Sequence, residues 1–197
     1  MSGSSLSPHP SSLLFVMNRA VILLGSNIDK EVNLPKAVRI LRECCRVTAV
    51  SPVYETVPVG LLNQPNFFNA AILVETDWNA SQIKGRLLSR IEERLYRVRQ
   101  ADKNAPRTID ADLVLVNDEV FDYNCYDGAC RHIPDPDLLK FAHVAVPVAD
   151  ILPDMLHPET AETMSAIAAR LMAAVPHDQP VPLWQRPDIS LNGGKKS

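Results

Sequence analysis

The chain has 197 residues, 46% of them hydrophobic and 22% charged, with a formal net charge of −3. That balance suits one globular domain with a sizeable core and excludes the basic excess of a dedicated nucleic-acid binder. The four glycines away from the ends, Gly25, Gly60, Gly85 and Gly128, stand far apart, which excludes both a G-x-x-x-x-G-K-S/T loop and a G-x-G-x-x-G turn; any phosphate must be held by cations or a metal.

Residues 1–18 are rich in Ser and Pro and lack the basic and long apolar regions of a signal peptide, so they predict a disordered extension. Residues 20–24 (AVILL) predict a fully apolar strand ending at Gly25-Ser26-Asn27. Leu34, Ala37, Val38, Ile40 and Leu41 then give a helical stripe, with Pro35 in its first turn. Residues 46–54 and 67–75 read as two strands separated by the turn-rich residues 57–66. Ile83, Leu87, Ile91 and Leu95 recur every four residues and predict one long amphipathic helix over 80–96. Residues 111–116 (ADLVLV) follow as another strand.

The resulting order β-α-β-β-α-β predicts an α+β fold of ferredoxin-like arrangement, two helices on one face of an antiparallel sheet. A Pro-bounded stretch over 133–153 and a helix over 161–174 form a C-terminal extension. Residues 19–176 thus read as a single domain, and 177–197, rich in Pro, Gly and Lys, as a flexible tail. No apolar run approaches the ~20 residues of a membrane span. Cys44, Cys45, Cys125 and Cys130 match neither a disulfide framework nor zinc spacing and predict reduced thiols in a cytoplasm.

Eight of the twenty cationic residues fall between positions 84 and 107: Lys84, Arg86, Arg90, Arg94, Arg97, Arg99, Lys103 and Arg107. Arg86, Arg90 and Arg94 suit a solvated helix face. Arg97, Arg99 and Arg107 instead flank a polar stretch without a hydrophobic anchor, as in a loop that carries fixed charge. Beside them stands Asp110-x-Asp112. Strand residues two apart share a face, where two carboxylates repel unless a cation lies between them. Mg²⁺ suits such a pair, since it takes one or two carboxylates and binds substrate phosphates through its other positions. Arginines beside it are what phosphoryl transfer requires. On spacing alone, a surface strand whose acids pair with the nearby arginines fits equally well. Phe67-Phe68-Asn69 offers an aromatic ring beside a carboxamide, able to stack on a flat heterocycle and read its edge; a buried Phe and a capping Asn is the plainer reading.

Together these segments resemble the 6-hydroxymethyl-7,8-dihydropterin pyrophosphokinase family of folate biosynthesis, over about residues 19–160. The likeness is carried by Leu24-Gly25-Ser26-Asn27, Tyr54-Glu55-Thr56 with Pro58 and Gly60, Gln64-Pro65, Phe68-Asn69-Ala70-Ala71, Ile91-Glu92 and Arg97-x-Arg99. Its strongest piece is Pro106-Arg107-Thr108-Ile109-Asp110-Ala111-Asp112-Leu113; Ile133-Pro134 and Pro147 to His157-Pro158 close it.

The resemblance implies transfer of a pyrophosphoryl group from ATP to the hydroxymethyl of a dihydropterin, releasing AMP. It implies Asp110 and Asp112 as ligands of two Mg²⁺, and these with Arg97 and Arg107 as the catalytic set. It places Arg99, Lys103, Arg107, Leu113 and Asp135 at ATP. Thr56, Val59, Phe67, Asn69 and His143 would line the pterin pocket, Phe67 stacking and Asn69 reading the ring edge. Glu92 matches a family acid near the active centre. Loops 57–66 and 97–107 would close over the substrates. The implied partners are these small molecules, with neither nucleic acid nor membrane.

The chain departs from the family where Pro134-Asp135-Pro136 stands in place of P-H-P and Phe141 in place of an Arg, while His143 aligns with a second stacking aromatic. An acid in place of a cation predicts weaker ATP binding unless Lys140 or His132 compensates. A binding homologue without turnover is the rival reading. An RNA-reading sheet is disfavoured, because adjacent Phe67 and Phe68 must face opposite ways and the net charge is negative.

Overall fold

The computed structural model describes residues 17–58, 63–102, 104–174 and 183–191. The expectations for residues 1–16, Val59, Gly60 and Lys103 lie outside the described residues.

Strand β1 (Asn18–Ser26) leads into helix α1 (Lys30–Cys44), then β2 (Arg46–Val50), β3 (Tyr54–Thr56) and β4 (Phe67–Thr76). Helix α2 (Ala80–Gln82), a π-helical turn (Ile83–Leu88) and helix α3 (Ser89–Arg94) run on as one rod. After β5 (Asp110–Val116) come the hairpin β6 (Phe121–Asn124) and β7 (Cys130–Ile133), a 3-10 turn (Pro136–Leu139), α4 (Ala142–Ile151), α5 (Met164–Ala173) and β8 (Leu183–Gln185). The main sheet has the order β5-β1-β4-β3-β8, with β2 also on β4, and every pairing is antiparallel. Among the described residues no helix is long and apolar enough to cross a membrane.

The two expected helices lie on one face of the sheet, and the C-terminal extension covers the other. On the first face Ile22, Leu24, Ile72 and Val74 pack with Leu34 and Leu41 of α1 and with Ile83, Leu87 and Ile91. On the second, Val21, Ala71, Leu73 and Leu115 pack with Val144 and Val148 of α4 and Met164 and Ile167 of α5. The reason is legible in β1 and β4, whose apolar runs are buried almost without alternation; a strand of that kind needs cover on both sides.

Three local expectations are corrected. Helix α1 begins at Lys30, so Pro35 lies one turn deeper than the first turn. The strand expected over 46–54 is two strands: Pro52 has no N–H for the ladder, and Ser51 substitutes by accepting from Ala71 N at 2.9 Å through Oγ. The long helix contains the π turn. Four residues advance about 400° around an α-helix, so a strict four-residue repeat drifts about 40° per step. The wider π turn, with Ser89 N bonded to Lys84 O, absorbs that drift. Ile83, Leu87, Ile91 and Leu95 all stay buried.

The tail is corrected too. Residues 183–185 pair with β3, Arg186 N donates to Val53 O, and Leu191 is buried with its carbonyl accepting from Arg42. An unpaired edge at β3 offers a ladder to any segment that reaches it. The apolar side chains of Leu183 and Leu191 anchor this one.

Candidate active site

Register across the sheet assembles the site. Asn69 on β4 pairs with Gly25 on β1, and Gly25 pairs with Asp110 on β5. One step along, Leu23 pairs with Asp112, and Thr56 pairs with Phe67. These residues share the second face, and with Arg107, Asp135 and His143 they line a cavity of about 360 Å³. Gly25 supplies its floor: a Cβ there would meet Asn69 Oδ1 at 3.3 Å and Asp110 Cβ at 3.8 Å. It keeps space open inside the strand; it does not form a turn.

One end of the cavity is aromatic and amide. Asn69 Nδ2 donates to Thr56 Oγ1 at 2.9 Å, which fixes the direction of the carboxamide. Phe67 lies under the Arg107 guanidinium, 5.7 Å from the ring centre. Its neighbour Phe68 points the other way and is fully buried, with Lys30 and Arg186 over its ring. His143 stacks on Phe141 at 5.3 Å between ring centres. Burial pushes its imidazole below the ordinary histidine value, so the ring faces the cavity neutral.

The other end is ionic. Arg107 forms an ion pair with Asp110, and Arg97 approaches the same carboxylate at 3.9 Å. Burial, with the charge of Asp112, raises the Asp110 carboxyl above its ordinary range even against both arginines. Asp112 is held below its range: withdrawal from water would raise it, but Lys84 at 2.9 Å outweighs that. Burial lowers Arg97, whose Nε has no hydrogen-bond partner among the described residues. Buried donors of this kind are normally satisfied, and this one stands beside the carboxylates. Asp135 is raised by burial and by Asp112 and Asp137.

Asn27, not singled out in the sequence for any role, ties the two expected closing loops together. Its Nδ2 donates to Gln64 Oε1 at 2.8 Å and Pro65 O at 3.1 Å, while its Oδ1 accepts from Arg107 N at 2.7 Å. Gln64 Nε2 in turn donates to Asn104 O at 2.8 Å. Its sequence signals were its place directly after the strand-end Gly25-Ser26 and its membership of the Leu24–Asn27 segment that carries the family resemblance.

Not every expected residue reaches this cavity. Arg99 is an exposed side chain paired with buried Glu92 at 2.7 Å. Leu113 faces the helix-side core. Lys140 is exposed and paired with Asp137, and His132 is bonded to Asp122 and Glu159, so neither offsets Asp135 inside the cavity. The cation that does approach this acid group is Lys84, which sequence reading counted without assigning a role.

A divalent cation fits the donor set. Asp110 and Asp112 stand two apart on one strand face, and like charge raises one of them. No cluster of three metal-ligating side chains exists among the described residues. A pair of carboxylates without a third ligand suits Mg²⁺, which keeps waters and takes substrate oxygens.

The family model for 7,8-dihydro-6-hydroxymethylpterin-pyrophosphokinase matches residues 21–153, which include every site residue described above. The chain belongs to this family. It is 36% identical over 137 residues to the 2-amino-4-hydroxy-6-hydroxymethyldihydropteridine pyrophosphokinase of Bacillus subtilis, covering 68% of this chain and 78% of that one. It is 33% identical over 155 residues to the folic acid synthesis protein fol1 of Schizosaccharomyces pombe, covering 77% of this chain and only 20% of that longer protein. The Plasmodium falciparum HPPK-DHPS structure with pteroate shares its fold at a TM-score of 0.68 and 13% identity, over 89% of this chain and 48% of that one. The fold is accordingly a mixed one, helices on an antiparallel sheet. As a pyrophosphokinase of folate synthesis, the chain transfers pyrophosphate from ATP to hydroxymethyldihydropterin, and its cavity has one aromatic and amide end and one ionic end.

Proposed function

We propose that the dihydropterin ring lies between Phe67 and His143, with Asn69 reading its edge and Thr56 holding Asn69 in place, while the ATP phosphates lie over Asp110 and Asp112. The observation that carries this reading is the single cavity in which Thr56, Phe67, Asn69 and His143 meet Arg107, Asp110 and Asp112. Two Mg²⁺ held by Asp110 and Asp112, when bound, would neutralise the phosphate oxygens and orient the triphosphate.

The chain's own residues then have separate tasks. Arg107, fixed at both its backbone and its guanidinium, meets the charge that develops on the transferring group. Arg97 brings an unsatisfied Nε to the same place. The hydroxymethyl oxygen attacks the β-phosphorus and gives up its proton to solvent, the bond to the α-phosphate oxygen breaks, and AMP leaves. Asp135 adds negative charge where the nucleotide enters, which weakens ATP binding. Val59, Lys103 and Arg99 belong to the loops that would close around this arrangement. The strand order β5-β1-β4, with β2 and β3 beyond, supports a ferredoxin-like β-α-β-β-α-β core extended by α4 and α5. Thiols such as the exposed Cys130 suit a reducing cytoplasm.

The test is product analysis. Purified protein with ATP, Mg²⁺ and 6-hydroxymethyl-7,8-dihydropterin should release one AMP for each dihydropterin pyrophosphate formed. ADP as the nucleotide product, or pterin binding without any AMP, would overturn the reading in favour of simple phosphoryl transfer or of a binding homologue.

A further inference from the structure

Lys84 sits in the π turn with its side chain only 12% exposed. Its Nζ donates to Ala111 O at 2.6 Å and to Asp112 Oδ1 at 2.9 Å. The first bond ties the turn to strand β5. The second puts an ammonium on the carboxylate assigned above to a divalent cation, and two cations compete for one oxygen.

Beyond Asp112 a second cavity of about 360 Å³ opens, lined by Lys84, Arg131 and His132 among others. Asp112, Asp135 and Asp137 line both cavities, so Lys84 stands where the two meet. Three carboxylates around this junction repel any polyphosphate that enters. Lys84 is bonded to Asp112, as the exposed Lys140 is to Asp137, and the flexible stem and three donors of Lys84 can be re-aimed without moving the backbone. The hairpin turn packs against the same π turn: a Cβ at Gly85 would overlap the Tyr126 ring. The backbone carrying Lys84 is thus clamped from outside while its side-chain tip keeps a choice of partner.

We propose that Lys84 is an exchangeable cation, bonded to Asp112 while no divalent cation is present and passing to a phosphate oxygen of the nucleotide once Asp112 takes the metal. This rests on the metal role given to Asp112 above.

The test compares wild type with Lys84→Met, using Mn²⁺ alone and then a non-hydrolysable α,β-methylene ATP at saturating Mg²⁺. Without nucleotide, Lys84→Met should bind Mn²⁺ about tenfold more tightly, since a competing charge is gone. With Mg²⁺ saturating, it should bind the nucleotide analogue about tenfold more weakly, since a phosphate contact is lost. Lys84→Arg should restore the second affinity. A merely structural lysine would weaken both or neither, and unchanged or weakened Mn²⁺ binding overturns the proposal. Lys84→Gln, which keeps a donor for Ala111 O, must give the same pair of opposite shifts should the Met variant fold poorly. Asp112→Asn separates the two layers. If it leaves Mn²⁺ binding intact, the metal reading fails and the exchange falls with it. If it abolishes Mn²⁺ binding while Lys84→Met changes nothing, only the exchange fails.

Discussion

Glu55 on β3 and Asp110 on β5 lie toward opposite sides of the same sheet, each between two cations. Lys30 Nζ reaches Glu55 at 2.8 Å and also bonds Asn66 O, while Arg186 pairs with both Glu55 and Asp188. Burial would raise the Glu55 carboxyl, but the hydrogen bonds from Lys30 and Arg186 outweigh it and hold the group below its usual range. At Asp110 the balance runs the other way: burial and the neighbouring Asp112 prevail over Arg107 and Arg97. The first cluster is closed, with its acid matched by hydrogen bonds. The second is left open, with two carboxylates on one strand face and an orphaned Arg97 Nε. Satisfied polar networks rigidify a fold, whereas strained ones beside a cleft mark chemistry.

The sharpest way to break that contrast is Asp110→Asn. It should lower kcat on the order of 10³-fold, the scale of losing one charge-organising group in phosphoryl transfer, with no fall in melting temperature. Steady-state rates and a thermal melt on the same sample decide it; a melt that drops alongside the rate would place Asp110 with Glu55.

Next in size is Asn27→Ala, which cuts the ties between residues 64–65 and Arg107. A displacement of catalytic parts by an ångström can cost about 10²-fold, so kcat/KM should fall by that order for both substrates. A loss confined to one substrate would mean that the loops are not coupled through Asn27.

Smallest in rate is Glu55→Gln, expected to leave kcat within a few-fold but to lower stability by about 2 kcal/mol, since Lys30 is left without an acid and Arg186 keeps only Asp188. Its pH dependence carries a sign. Because the folded Glu55 carboxyl lies below its unfolded value, its contribution is fully present above the unfolded value and is lost as pH falls through the folded one. The deficit of Glu55→Gln should therefore vanish in acid. Asp110, raised in the fold, opposes folding once ionised and is relieved as pH falls through its folded value. Any stability gained by Asp110→Asn should thus appear at neutral pH and shrink in acid. Denaturant melts across a pH series check both.

Much of this was legible in one dimension, wherever the signal is local. The buried stripe of α1, the burial of the four-residue repeat Ile83 to Leu95 and the shared face of Asp110 and Asp112 each depend on a few residues, and each stands in the structure. Phe67 and Phe68 do face opposite ways, as strand alternation requires. What escaped depends on distant pairing. Lys84 meets Asp112 across 28 positions, and only because the π turn and the register of β5 bring them together. Gly25 reads as a turn residue until Asn69 and Asp110 are seen on either side of it. Residues 183–191 lie within an end rich in Pro, Gly and Lys, yet two leucines and an open strand edge suffice to fasten them.

The pairing of β5 with β1 slips between Val21 and Ile22, leaving Val114 without a partner on β1. Val114 lines the main cavity, and its carbonyl accepts the N–H of Asp135 at 2.8 Å. The wall that carries Asp135 is therefore hung from an irregular residue of the same strand that carries Asp110 and Asp112, two positions after the latter. Wall and carboxylates form one piece of masonry. That side of the cavity is braced from within its own sheet, whereas on the opposite bank residues 64 and 104 meet through a side chain, Gln64 Nε2 donating to Asn104 O at 2.8 Å.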